Sequence, residues 1–375
     1  MLKIGFVGWR GMVGSVLMGL LMGRMREEND FKGFDPVFFT TSNVGGEGPE
    51  IGLDIPPLRD AYDVDLLSEQ EIVVTCQGGG YTKEVYPRLR KSGWNGYWID
   101  SASTLRMDED SIIVLDPVNR AVIDRGLSSG IRTYVGGNCT VSLMLMALSG
   151  LFASGHVEWI SAMTYQAASG AGAANMRELV QQMYAIGTAS KDLLNDPASS
   201  AIAIDERVTG EMRGAAFPTA NFLAPLAGSL LPWIDSPMES GQTREEWKGS
   251  VETNKILQTR DPIPIDGICV RVGAMRCHSQ GLTIKLNRDI PLDEVTEMIK
   301  GGNEWVELVP NDKESTLKRL TPAAINGTLT VPVGRLRKLL IGPEYLAAFT
   351  VGDQLLWGAA EPIRRILNIV IEHLS

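Results

Sequence analysis

The chain predicts an α/β fold in which a doubly wound parallel sheet is followed by an α+β domain with a mixed sheet. Three observations carry this. The chain opens on a strand, a glycine turn and a helix. Short apolar strands then alternate with helical stretches up to residue 137. Beyond that point the strands come first and are separated by long irregular connections. At 375 residues the chain is longer than one core usually supports, so two domains are expected. Its 44% hydrophobic and 21% charged residues are those of an ordinary globular protein. A formal charge of −10 argues against non-specific nucleic-acid binding, so any anion site must be built from a few placed arginines and lysines. The longest apolar run, residues 141–153, is interrupted by Ser142, Ser149 and Gly150 and falls short of the ~18 residues of a membrane span. Residues 1–6 enter a strand pattern with no leader signature, and four widely spaced cysteines without a CxxC pair suggest a reducing compartment, hence a cytoplasmic protein.

Taken in order, residues 2–8 form an apolar strand that runs into Gly8, Gly11 and Gly14 and then into helical spacing from Ser15. A Rossmann-type unit puts a dinucleotide pyrophosphate on such a helix N-terminus, although the Gly-x-x-Gly-x-x-Gly spacing departs from the usual G-x-G-x-x-G. The second strand, 37–40, ends in Thr41, Ser42 and Asn43 where an acidic residue would hold a ribose 2′-hydroxyl. A carboxylate there would repel a 2′-phosphate and hydroxyls can donate to one, so NADP is favoured over NAD. The strand at 71–76 opens into Gln77 and three glycines at its C-terminal end, the sheet edge where ligands bind; Cys76 inside it reads as packing. Strands at 96–100 and 111–115 follow, the first ending in the loop 101–106.

The centre of the chain is residues 136–140, where two glycines and Asn138 deliver Cys139 to the first turn of an apolar helix. Unpaired N–H groups and the helix dipole at that position lower a thiol's pKa and can hold an oxyanion. The plainer alternative is a small buried cysteine capping a core helix. Residues 157–166 alternate like a strand with one wet face, 167–173 are a loop of small residues, and 175–184 are a helix. Residues 205–221 read as irregular and 224–233 as a proline-bounded apolar segment, while Thr243 and Glu246 stand in capping-box register at the start of another helix. Strands are expected at 268–272 and 281–286. Of the three histidines, His156 and His373 read as surface residues. His278 follows Arg271 by seven residues, so on one unbroken strand they face opposite ways. If Gly273 and Ala274 break the strand, a Cys139–His278 pair with Arg271 as an anion clamp becomes a sensible site. No His/Cys spacing resembles a metal site, so no metal is expected.

The segments GFVGWRGMVG, TCQGGGYT, YWIDSASTLRM, VGGNCTVSLML, TYQAASGAG, REEWKG, CVRVGAMRCHSQ and FTVGDQLLWGAAEP resemble the aspartate-β-semialdehyde dehydrogenases of Gram-negative bacteria, nearly end to end. Residue by residue, the resemblance implies Cys139 as nucleophile, His278 as acid/base and Gln166 as a substrate-positioning residue. It implies Arg271 as the clamp for the substrate carboxylate, Glu245 as the partner of its ammonium group, and Arg106, Asn138 and Lys248 as phosphate-binding positions. For NADP it implies Arg10, Gly11, Met12, Val13, Thr41, Ser42, Gln77, Ser169, Gly170 and Gln354. The implied reaction is reversible: the thiolate adds to the aldehyde, hydride passes to NADP, and inorganic phosphate releases the acyl group, which serves lysine, methionine and threonine synthesis.

The expected domains are 1–137 for NADP, completed by the C-terminal helix 357–375, and 138–356 for catalysis and dimerisation. A homodimer is expected because apolar segments such as 224–233 exceed what a small mixed domain covers. Two rivals stay open on the residues. One is another acyl-phosphate reductase or phosphorylating aldehyde dehydrogenase, which has no need of both Arg271 and Glu245. The other is a cofactor-free cysteine acyltransferase or hydrolase.

Overall fold

A computed structural model describes residues 1–25 and 28–375. Its first half runs β1 (Lys3–Val7), α1 (Met12–Leu21), β2 (Asp35–Thr40), β3 (Arg59–Asp60), α2 (Val64–Ser68), β4 (Ile72–Thr75), α3 (Gly79–Lys91), β5 (Tyr97–Asp100), β6 (Ser111–Val114), α4 (Asp116–Ser128) and β7 (Thr133–Gly136). All seven strands pair in parallel, in the order β3-β2-β1-β4-β5-β7-β6. Strands β4 to β7 are buried at every position, which is why they read as apolar runs without alternation: helices cover both faces of a parallel sheet.

The second half runs α5 (Cys139–Ala153), β8 (Val157–Gln166), α6 (Ala173–Ala189), α7 (Lys191–Asn195), α8 (Ala201–Met212), β9 (Leu230–Leu231), α9 (Arg244–Leu257), β10 (Ile265–Asp266), β11 (Cys269–Val272), β12 (Cys277–Leu286), α10 (Leu292–Lys300), β13 (Val306–Leu308), α11 (Lys313–Arg319), α12 (Pro322–Ile325), β14 (Val331–Leu339), β15 (Gly342–Asp353) and α13 (Glu361–Leu374). The second sheet has the order β13-β14-β15-β12-β8-β11-β9, with β10 also on β8. It is mixed: β8 pairs with β11 in parallel and with β12 antiparallel. One face of it covers α5, whose residues from Thr140 to Ser149 are all buried, as expected of a helix apolar on every side. On the other face, Tyr165 lies 6.3 Å from Phe349 and Trp159 lies 6.0 Å from Tyr345, with Met163 and Tyr165 each 38% exposed.

The last helix returns to the first sheet. Ile363, Ile366, Leu367 and Val370, at helical spacing along α13, join the core that holds Phe6, Ile99 and Tyr134. Among the described residues no helix is long and apolar enough to cross a membrane.

Two expectations need correction. The stretch 205–221 is not irregular throughout, because α8 occupies its first half. That helix buries none of its residues, so it carries no apolar stripe to read, and its start is fixed by the Ser200 hydroxyl accepting from the Ala203 N–H. The strand expected at 281 begins at Cys277, because β15 and β8 extend its ladder on both sides. The break between β11 and β12 falls at residues 273–276, which meets the condition set for Arg271 and His278 to converge.

Candidate active site

Cys139 occupies the first turn of α5, immediately beyond the end of β7. Asn138 caps the helix, its Oδ1 accepting from the N–H groups of Thr140 at 3.0 Å and Val141 at 3.2 Å. The sheet brings the other chemistry to the same place. Arg271 pairs directly with Gln166 at the ends of β11 and β8, and His278 sits on β12, one residue before the Ser279–Tyr165 pair. Cys139 Sγ lies 3.2 Å from His278 Nε2. The peptide group of Ala167 holds both neighbours: its N–H donates to His278 Nδ1 at 2.9 Å, and its carbonyl accepts from Arg271 Nη1 at 2.8 Å. Gly170 closes over this pair so tightly that a Cβ there would lie 2.8 Å from Arg271 Nη1 and 3.2 Å from His278 Nε2.

Helix α9 supplies a row of charge from its buried face. Glu245, Lys248 and Glu252 follow one another at i, i+3 and i+7 and are all buried. Glu245 Oε1 accepts from Asn138 Nδ2 at 2.9 Å and Gln166 Nε2 at 3.1 Å, and its Oε2 accepts from Lys248 Nζ at 3.0 Å. Lys248 Nζ also donates to Asp235 Oδ2 at 2.8 Å. Arg106 reaches in from the loop after β5. It donates to the carbonyls of Gly136 at 2.6 Å and Gly137 at 3.0 Å, and to Glu252 Oε1 at 3.1 Å. Glu252 Oε2 accepts from the backbone N–H of Asn138 at 2.7 Å, so one carboxylate ties Arg106 to the cap of the Cys139 helix.

Burial sets the protonation states. It pushes the Cys139 thiol up to about 12; Glu245 adds to this, and Arg271, Arg106 and Lys248 act against it. Burial thus opposes the lowering expected from the helix N-terminus. Burial, assisted by the charge on Arg271, pushes His278 down to about 3. Because Nδ1 accepts from Ala167, the neutral ring carries its proton on Nε2, and the bond to Cys139 runs from ring to sulfur. Desolvation opposes both charges of the Glu245–Lys248 pair, but their attraction and hydrogen bonds outweigh it. The carboxyl is held below its ordinary range and the ammonium above. The other three thiols are also pushed up to about 12 by burial, so what sets Cys139 apart is its contact with His278 and its place on the cavity that Arg271 lines.

That cavity, about 610 Å³, is lined by Cys139, Gln166, Arg271, Glu245, Lys248, Arg106 and Asn138, and by Met12, Val13, Ser169, Gly170 and Gln354. His278 stands behind Cys139, 1% exposed. The turn before α1 makes the cavity continuous with the first sheet. Gly8 takes φ +75°, which side chains disfavour, Gly11 caps the helix, and the N-terminal residues Met12 and Val13 face the cavity. Gln354 Nε2 donates to Ser169 Oγ at 2.7 Å. Arg10, Thr41, Ser42 and Gln77 gather beyond this lining, at the C-terminal ends of β1, β2 and β4. Arg10 Nη2 donates to Thr40 Oγ1 at 2.9 Å and Ser42 Oγ at 3.3 Å, and Gln77 Nε2 donates to Thr41 Oγ1 at 3.4 Å. The arginine that the hydroxyl loop lacks in sequence is thus delivered from the glycine turn.

Three residues escaped the reading of the sequence. Thr40 reads as the last residue of a buried strand. Glu252 carried a signal, its heptad spacing from Glu245. Asp235, in a loop, carried none.

A nucleotide-type parallel sheet whose edge opens onto a cysteine backed by a histidine, with a buried arginine beside it, is the arrangement of a thiol-dependent dehydrogenase. A family model described as semialdehyde dehydrogenase, NAD binding domain, matches residues 3–125, and one described as semialdehyde dehydrogenase, dimerisation domain, matches residues 148–357. Among solved structures, an aspartate semialdehyde dehydrogenase from Francisella tularensis is 47% identical with a TM-score of 0.93, over 99% of this chain and 100% of that one. Aspartate semialdehyde dehydrogenase II from Vibrio cholerae, complexed with ASA, is 23% identical with a TM-score of 0.77, over 99% and 98% of the two chains. A Candida albicans aspartate semialdehyde dehydrogenase with NADP is 16% identical with a TM-score of 0.64, over 100% and 98%; these two likenesses speak to the fold alone. The chain belongs to the semialdehyde dehydrogenase family.

Proposed function

We propose that the chain interconverts L-aspartyl 4-phosphate and L-aspartate 4-semialdehyde with NADP(H), through a thioacyl intermediate on Cys139, in the biosynthesis of lysine, methionine, threonine and isoleucine. The observation that carries this is the 3.2 Å contact of Cys139 with His278 on a cavity that also presents Arg271 and Glu245. A guanidinium for a carboxylate and a carboxylate for an ammonium are what an amino-acid aldehyde requires.

In the oxidising direction the Cys139 sulfur bonds to the aldehyde carbon as the thiol proton passes to the carbonyl oxygen, to which the Nε2–H of His278 donates a hydrogen bond; when the hydrogen on that carbon leaves as hydride, the O–H proton is released and the thioester remains. Arg271 and Glu245 orient the substrate, with Gln166 alongside. The residues that would hold NADP are Arg10 to Val13 at the N-terminus of α1, Thr41, Ser42, Gln77, Ser169, Gly170 and Gln354; the group supplies hydride acceptance and donation. The continuity of the α1 N-terminus with the Cys139 cavity supports the fit. Arg106, Lys248 and Asn138 are the donors for inorganic phosphate, whose oxygen bonds to the thioester carbon as the carbon–sulfur bond breaks and the thiolate leaves.

We assign residues 1–137 and 357–375 to cofactor binding and 138–356 to catalysis and dimerisation. The packing of α13 into the first core supports the division. The aromatic outer face of β8, β12 and β15 supports a homodimer, and four free thiols support a reducing, cytoplasmic setting. NADP reduction by purified protein with L-aspartate semialdehyde should require phosphate and vanish in Cys139→Ala while NADP binding persists. Turnover without phosphate, or in Cys139→Ala, would overturn the reading. Sedimentation should give twice the chain mass at micromolar concentration.

A further inference from the structure

Two carboxylates converge on a single ammonium in the substrate cavity. Glu245 Oε2 lies 3.0 Å and Asp235 Oδ2 2.8 Å from Lys248 Nζ, and all three residues line the cavity that holds Cys139 and Arg271. Asp235 takes φ +72°, in the left-handed region that aspartate adopts more readily than most residues other than glycine. The Trp233 indole N–H donates to its carbonyl at 2.9 Å, and the Ser236 N–H donates to its Oδ1 at 2.8 Å. With Oδ1 occupied by backbone, Oδ2 is the oxygen turned to a cation.

Two carboxylates are in direct contact with one lysine, while Arg244 acts on Asp235 and Arg271 on Glu245 only through charge at longer range. A phosphate anion drawn to Lys248 meets both carboxylates as well, unless a second cation joins them. The substrate of the proposed reaction brings that cation, its α-ammonium group. We infer that Asp235 is a specificity-determining residue that shares the substrate ammonium with Glu245. The substrate ammonium takes the place between the two carboxylates that the Lys248 ammonium takes in this structure, and Lys248 turns to the phosphate. The inference rests on the functional reading above and adds a second ammonium partner, together with an exchange of cations that couples amino-group recognition to the phosphate site.

The test compares L-aspartate semialdehyde with its des-amino analogue, 4-oxobutanoate, in wild type, Asp235→Asn and Asp235→Glu. The analogue is followed as a substrate or, where its turnover is slow, as a competitive inhibitor. Hydrogen bonds to charged groups set the scale, so Asp235→Asn should raise the KM for the amino aldehyde about tenfold. It should leave the constant for 4-oxobutanoate within twofold, and Asp235→Glu should recover part of the loss. Equal losses for both aldehydes, or a change confined to the KM for phosphate, would show that Asp235 only restrains Lys248 and would overturn the inference. If wild type itself fails to reduce NADP with L-aspartate semialdehyde and phosphate, the functional reading falls instead.

Discussion

The backbone N–H of Ala167 donates to Nδ1 of His278 at 2.9 Å, and this bond decides which way the proton lies between His278 and Cys139. An imidazolium would put N–H against N–H, so the ring is neutral as placed, in agreement with the burial that pushes it down to about 3. A stability consequence follows with a definite sign. The unfolded ring titrates near 6.5 and the folded one well below, so the unfolded chain binds the extra proton first. His278 therefore contributes stability that is complete above about pH 6.5 and is lost progressively as pH falls toward 3. Its share of the slope is roughly 1.4 kcal/mol per pH unit within that window. Urea midpoints at pH 7, 6 and 5 should show this slope in wild type and a shallower one in His278→Gln; parallel slopes would mean the ring is already charged in the fold.

Arg10 is predicted to read the 2′-phosphate of NADP. It gathers Thr40 and Ser42 at the end of β2, where the sequence points to Thr41 and Ser42. Charge-assisted hydrogen bonds contribute roughly 1.5–3 kcal/mol each, so Arg10→Leu should weaken NADP binding by tens of fold and NAD binding by less than twofold. Isothermal titration with both cofactors decides this. An equal loss would mean that Arg10 only braces the strand end.

Glu252 is predicted to be a positioning residue. Its carboxylate is buried between the Arg106 guanidinium and the Asn138 N–H, and Glu252→Gln must set an amide N–H against one of these donors. Breaking a buried charged pair costs about 3–5 kcal/mol. Denaturant unfolding should register a loss of that order. At permissive temperature the KM for phosphate should rise more than that for the aldehyde, since Arg106 is the group set loose; unchanged phosphate kinetics would confine Glu252 to stability.

Gly170→Ala tests how closely the site is closed. The added Cβ would meet Arg271 Nη1 at 2.8 Å and His278 Nε2 at 3.2 Å, both buried and both held by Ala167. Overpacking of this kind costs about 1–3 kcal/mol, and here the displaced groups are those to which the proposed function assigns the chemistry. The expected result is a fall in kcat/KM of tenfold or more with only a modest change in Tm. Full activity would show that the loop 167–172 moves away during turnover.

Features under the control of short-range physics are legible in the residues alone. Strand β8 ends where the period-two pattern ends, Cys139 stands in the first turn of an apolar helix, and Thr243 and Glu246 form the capping box that their spacing announces. A break at Gly273 and Ala274 is the condition on which Arg271 and His278 converge, and on that condition the residues alone point to Cys139, His278 and Arg271, whereas the roles of Glu245, Gln166 and Gln354 come only through resemblance. Tertiary structure decided the rest, because it depends on groups far apart in the chain. Arg10 meets Thr40 across two strand ends, Glu252 meets Arg106 across 146 residues, and Asp235 meets Lys248 from a loop with no periodic signal. The same holds for the thiol: the dipole that would activate Cys139 is local and legible, but the burial that pushes its pKa up is supplied by the whole fold.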